Sequence, residues 1–149
     1  MKRIHIHISV DDLDKNIDFY SALFGNEPTT LKSDYAKWQL DDPVVNFAIS
    51  DRGSDKGLNH LGIEVEHAEE LEEVSTRLNA IDADKFEEKG ASCCYAESDK
   101  YWTLDPQGIP WENFNTLGDV PLYGDNPKKD VAFEKSCYPT INTQPSGCC

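Results

Sequence analysis

The sequence predicts an α+β domain in which two βαβββ modules pack side by side and curl their strands into one cup-shaped mixed sheet. Three observations carry that prediction. A strand of alternating apolar residues followed by an amphipathic helix occurs twice, starting near His5 and again at His60. Each helix is followed by short strand-like runs separated by turn signals. The apolar patterning stops near residue 115 of 149, which leaves a folded domain with a thin core and a remainder without one.

The first module covers about residues 1–54. Its first strand, Ile4 to Val10, carries Ile4, Ile6, Ile8 and Val10 on one face and Arg3, His5, His7 and Ser9 on the other. Asp11 and Asp12 lead into a helix in which Ile17, Tyr20 and Phe24 keep helical spacing, and Gly25 is a natural stop. Strand-like runs follow at Tyr35 to Leu40 and Val44 to Ile49, around an Asp42-Pro43 turn.

The second module covers 55–115. Leu61, Ile63 and Val65 alternate with His60, Gly62 and Glu64. In the helix that follows, Leu71, Val74 and Leu78 repeat the earlier spacing, and Glu69, Glu70, Glu72 and Glu73 crowd its first turns, where the dipole favours them. Strand-like runs are expected at Ser92 to Ala96, Tyr101 to Leu104 and Trp111 to Phe114, with Asp105-Pro106 as the matching turn. Neither unit can bury a sheet alone. Paired, they place the helices outside on the apolar faces, and the polar strand faces line the cup. From Thr116 to Cys149 the chain has four of its eight prolines and no sustained period, so 116–149 reads as a poorly structured tail that bears Cys137, Cys148 and Cys149.

With 28 acidic and 14 basic residues, the net charge of -14 repels phosphate backbones and anionic membranes. No nucleic-acid or membrane partner is expected, and no apolar run approaches the ~20 residues of a membrane span. Met1 to Val10 is too short and polar for a signal peptide. Five cysteines, an odd number, argue against a complete disulfide set. A cytoplasmic chain is expected, with thiols that handle a metal, a metalloid or redox chemistry.

His5 and His60 occupy equivalent positions on equivalent strands, both on the cup side. Glu112 is a charge inside an aromatic strand, which is costly unless paired or bound to a metal. Two histidines and one carboxylate form a facial triad with open positions, suited to ferrous iron and admitting Zn, Ni, Co or Mn. His7 shares the face of His5, so either imidazole serves. The bland alternatives are a structural strand histidine and a Glu112 paired with Arg3 or a lysine. Cys93 and Cys94 are adjacent. A regular strand aims one thiol into the cup and one away, whereas a bulge or strand end brings both to one soft, thiophilic ligand. Burial as small hydrophobes is the plain alternative.

The stretch HIHISVDDLDKNIDFY, residues 5–20, resembles the opening of the vicinal-oxygen-chelate superfamily, the glyoxalase, bleomycin-resistance and extradiol-dioxygenase group. Val10, Asp12, Leu13, Phe19 and Tyr20 fit that pattern when His5 is the ligand. HLGIEV at 60–65 resembles the second ligand strand, and DPQGIPWE at 105–112 resembles the Asp-Pro-x-Gly turn with its terminal Glu ligand. The resemblance spans roughly 3–115 and implies His5, His60 and Glu112 as metal ligands. Glyoxalase I itself adds a Glu late in the first half. Val44 to Ile49 has no carboxylate, which sets this chain apart from glutathione hemithioacetal isomerisation.

Asn59-His60-Leu61-Gly62 with Cys93-Cys94-Tyr95-Ala96-Glu97-Ser98-Asp99-Lys100 resembles one branch of that superfamily, the ArsI-type carbon–arsenic lyases grouped with CadI-type cadmium-induced proteins. The resemblance implies an Fe(II)-dependent dioxygenase that takes a trivalent organoarsenical and dioxygen and releases arsenite. In it Cys93 and Cys94 hold the arsenical. The rival functions are a non-catalytic cadmium or arsenic binder and another metal-dependent enzyme of the glyoxalase/bleomycin-resistance type. Monomer and homodimer both stay open.

Overall fold

Alternating β-branched and polar residues make Arg3–Ser9 a strand, β1, in the computed structural model, which describes residues 1–52 and 55–121. The other elements are α1 (Leu13–Phe24), β2 (Thr30–Lys32), β3 (Tyr35–Asp41), β4 (Val44–Ser50), β5 (Gly57–Val65), α2 (Ala68–Asn79), β6 (Lys85–Cys93), β7 (Ala96–Leu104) and β8 (Pro110–Asp119). They form one sheet in the order β2-β3-β4-β1-β5-β8-β7-β6, so each module contributes one half of it. β1 pairs parallel with β4, and β5 pairs parallel with β8. In the middle, β1 and β5 run antiparallel. This is the predicted duplication.

The central register sets the symmetry. Ile6 faces Leu61, flanked by the pairs His5–Gly62 and His7–His60. A pseudo-twofold axis therefore passes between Ile6 and Leu61, relating His5 to His60 and His7 to Gly62. Beyond His60 the register slips, and Asn59 is the extra residue of a bulge.

Local chemistry explains the helix ends. The Asp12 side chain accepts from Lys15 N–H at 3.1 Å to cap α1, and Gly25 closes it with φ 65°, donating to the Ser21 carbonyl. At the start of α2, Glu70 reaches back to the backbone N–H of Glu66 at 3.0 Å. α1 lays Ile17, Tyr20 and Phe24 on a core that includes Trp38, Val45, Phe47 and Ile49.

Four details differ from the sequence expectation. Three-residue β2 was not anticipated, since an edge strand of Thr-Leu-Lys has no pattern to read. Ser92 to Ala96 is not a strand: β6 ends at Cys93, and Cys94 and Tyr95 form the hairpin turn to β7. β8 continues to Asp119, paired with Ala96 on β7, so the boundary set at 115 falls inside a strand. Burial on β1 is also inverted. His5, His7 and Ser9 are buried, while Ile4 is 47% exposed. The curled inner face closes on itself, and the helices cover just part of the outer face. Residues 122–149, with Cys137, Cys148, Cys149 and most of the expected tail, lie outside the described residues.

Candidate metal centre

β1, β5 and β8 are neighbours, and each presents one side chain to the same point of the cup. His5 Nε2 and His60 Nε2 lie 3.0 Å apart. Glu112 Oε2 lies 3.2 Å from His60 Nε2 and 3.7 Å from His5 Nε2. All three residues are buried. Gly62 makes room for them: a Cβ there would lie 1.8 Å from the Glu112 carbonyl oxygen.

The opposite nitrogens set the tautomers. His5 Nδ1 faces the Asn46 carbonyl at 3.2 Å and Asn46 Oδ1 at 3.0 Å, so Nδ1 carries the proton and donates it. His60 Nδ1 donates to Asn59 Oδ1 at 2.7 Å, an oxygen that the bulge brings into reach. Both Nε2 atoms are then lone pairs aimed at each other and at a carboxylate oxygen. Such a set repels itself unless a cation lies between, and oriented neutral imidazoles are good ligands to divalent metals. The residues therefore fit a metal.

Burial, reinforced by the nearby His60, lowers His5 from 6.5 to about 4. Burial alone would push the Glu112 carboxyl up, but the Lys100 ammonium holds it well below the usual range. His7 stands apart from the cluster. Its Nε2 contacts Ser50 Oγ at 2.9 Å, and its ring packs edge-on to His60 at 4.9 Å between centroids.

Cys93 and Cys94 line the same pocket as His5 and Glu112. Their Sγ atoms are 3.1 Å apart. The backbone achieves this at the strand end, with φ 56° at Cys94 and 64° at Tyr95. Two consecutive left-handed residues are the mark of a tight hairpin turn usually made by Asn-Gly. Cys-Tyr adopts it at a conformational cost of order 1–3 kcal/mol per residue. Contacts with the first module support the turn. Tyr95 donates its hydroxyl to Asp34 Oδ1 at 2.6 Å, Asp34 pairs with Arg52, and Tyr35 packs against the Tyr95 ring.

Sequence reasoning did not assign Lys100, Asn46 or Asn59. Lys100 donates to Glu112 Oε1 at 2.6 Å from a nearly fully buried position. A charge flanked by Tyr101 and Trp102 is the same signal that singles out Glu112. Asn46 shows its role only once β4 is set in register with β1.

The glyoxalase/bleomycin resistance protein/dioxygenase superfamily model matches residues 2–112. A trivalent organoarsenical cleaving enzyme of Bacillus sp. strain MD1 is 38% identical, over 100% of this chain and 99% of that protein. Cadmium-induced protein CadI of Mycobacterium bovis is 35% identical, over 86% of this chain and 85% of its own length. Among solved structures, homoprotocatechuate 2,3-dioxygenase of Arthrobacter globiformis shares the fold, with a TM-score of 0.58 and 18% identity over 80% of this chain and 37% of that one. Family model, relatives and architecture agree: the chain belongs to the glyoxalase/bleomycin resistance protein/dioxygenase superfamily, in the group that includes trivalent organoarsenical cleaving enzymes and cadmium-induced protein CadI.

Proposed function

We propose that this chain is a ferrous-iron-dependent dioxygenase that cleaves the carbon–arsenic bond of trivalent organoarsenicals, turning methylarsenite into arsenite in the cytoplasm. The observation that carries the reading is a two-histidine, one-carboxylate donor set, His5, His60 and Glu112, of which His5 and Glu112 line one pocket together with two adjacent thiols. The similarity to organoarsenical cleaving enzymes supports the substrate. His5 and His60 would hold the metal through Nε2 and Glu112 through Oε2. Ferrous iron bound there supplies the activation of dioxygen.

The chain's own residues do the rest. Cys93 and Cys94 take the trivalent arsenic as a soft centre on two soft donors, which leaves its carbon substituent directed by the pocket rather than by chance. The supported hairpin turn keeps the thiols at fixed separation, so little ordering remains to be done when the arsenical arrives. Tyr35 and Phe114 line the pocket and limit water around the reacting centre.

The test is an aerobic assay of iron-loaded protein with methylarsenite, following arsenite release and dioxygen uptake. Cys93→Ser and Cys94→Ser should retain iron but lose arsenical binding and turnover. Native arsenite release from both variants would remove the thiols from the mechanism. Binding of methylarsenite without oxygen uptake or arsenite release would leave the second reading, a non-catalytic metalloid or cadmium binder.

A further inference from the structure

The two oxygens of Glu112 have different partners. Oε2 faces His60 and His5, whereas Oε1 accepts from Lys100 Nζ at 2.6 Å. Lys100 is 4% exposed and stands on β7, two residues before Glu112's register partner Trp102. Glu88 lies opposite it on β6, and Cys93 and Cys94 share its pocket. A surface lysine stabilising the sheet would stand on the outer face; this one points at a metal ligand.

We infer that Lys100 is a positioning residue that keeps Glu112 a one-oxygen ligand and so preserves an open position on the metal. The inference rests on the metal-centre reading above. A carboxylate beside a divalent cation binds through one oxygen or both. With three protein donors a six-coordinate metal keeps three open positions, and a two-oxygen Glu112 would take one of them. The ammonium holds Oε1 on the side away from the two imidazoles. The Glu112 backbone approaches Gly62 closely, and Phe114, the register partner of Lys100, packs edge-on to the His5 ring at 5.1 Å. Two reactants, dioxygen and a thiol-held arsenical, need that room.

The experiment uses the full chain, stripped of metal and reloaded with Mn(II) without oxygen, and reads water-proton relaxivity per bound ion together with Mn(II) affinity. In Lys100→Met, Oε1 is released to the metal. Relaxivity per bound ion should then fall by about a third, as one of three water positions is lost, while Mn(II) binds several-fold more tightly. Lys100→Arg, which restores a cationic donor, should return both to native values. A lysine with a merely structural role predicts the reverse pattern, weaker Mn(II) binding with unchanged relaxivity, and that result overturns the inference. Wild-type protein that binds no Mn(II) fails the metal-centre reading itself, and the inference with it. If Lys100→Met does not fold, a crystal structure of the Mn(II)-loaded wild-type protein decides. Glu112 bound through one oxygen with Lys100 on the other supports the inference, and Glu112 bound through both overturns it.

Discussion

In the first module α1 rests on a core that buries Trp38 and Ile49 completely, with Tyr20, Phe24 and Phe47 rings packed around the indole. In the second, α2 covers a cluster of Val65, Leu71 and Tyr101. The chemistry is distributed the other way. His60, Glu112, Lys100, Cys93 and Cys94 all belong to the second module, and the first supplies His5 with its partner Asn46. One backbone plan has thus been filled twice with different emphasis. The first half provides the rigid wall, and the second spends its inner face on polar groups that a larger apolar core would displace.

Three predictions bear on this division. The largest effect is expected at the ligands. His5→Ala, His60→Ala and Glu112→Ala should each weaken metal retention beyond the roughly 100-fold typical of losing an outer partner, with circular dichroism unchanged. His7→Ala should retain metal, and loss of metal in that variant alone would move the first-module ligand to His7. Next is the core contrast, read by urea unfolding. Trp38→Ala should cost about 3–5 kcal/mol and Leu71→Ala about 2 kcal/mol, at the low end for a buried leucine. Equal losses would show the second core to be better supported than its cluster suggests.

The third prediction concerns acid. Folding depresses the pKa of His5 to about 4 and those of His7 and Glu112 well below their usual values, burial being the largest cause for both histidines and Lys100 overriding burial for Glu112. Groups depressed on folding bind fewer protons folded than unfolded. Chelator-stripped protein should therefore hold its full stability above pH 6.5 and lose it as pH falls. His5 alone accounts for about 3 kcal/mol between pH 6.5 and 4. Stability that is flat over that range would show that both strand imidazoles protonate without resistance.

How much of this is legible beforehand depends on the element. β1 and β5 announce themselves because each has an apolar outer face, and their repetition places His5 against His60 without any knowledge of register. β6 does not. It is an edge strand with one neighbour, and Phe-Glu-Glu-Lys-Gly-Ala-Ser has no buried face to impose alternation. Its hairpin was hidden for a second reason, since Cys94-Tyr95 lacks the Asn or Gly that normally signals two left-handed residues. Lys100 was readable by the rule applied to Glu112, but which carboxylate it meets depends on how β7 and β8 are set against each other. Asn59 owes its reach to a bulge, an irregularity that periodicity cannot express.

The pairing of Ile6 with Leu61 has a consequence for how such a centre is inherited. A duplicated unit presents every donor position twice, and each copy is free to drift as long as the other keeps the backbone in register. Across the axis from Glu112 stands Ala48, which sits beside His7 as Glu112 sits beside Gly62. A carboxylate there would make a fourth ligand, fill one more position and add a negative charge. With methyl in its place, the symmetric frame carries an unsymmetric ion site. Divergence between the copies, rather than any new element, is what leaves room for a reactant.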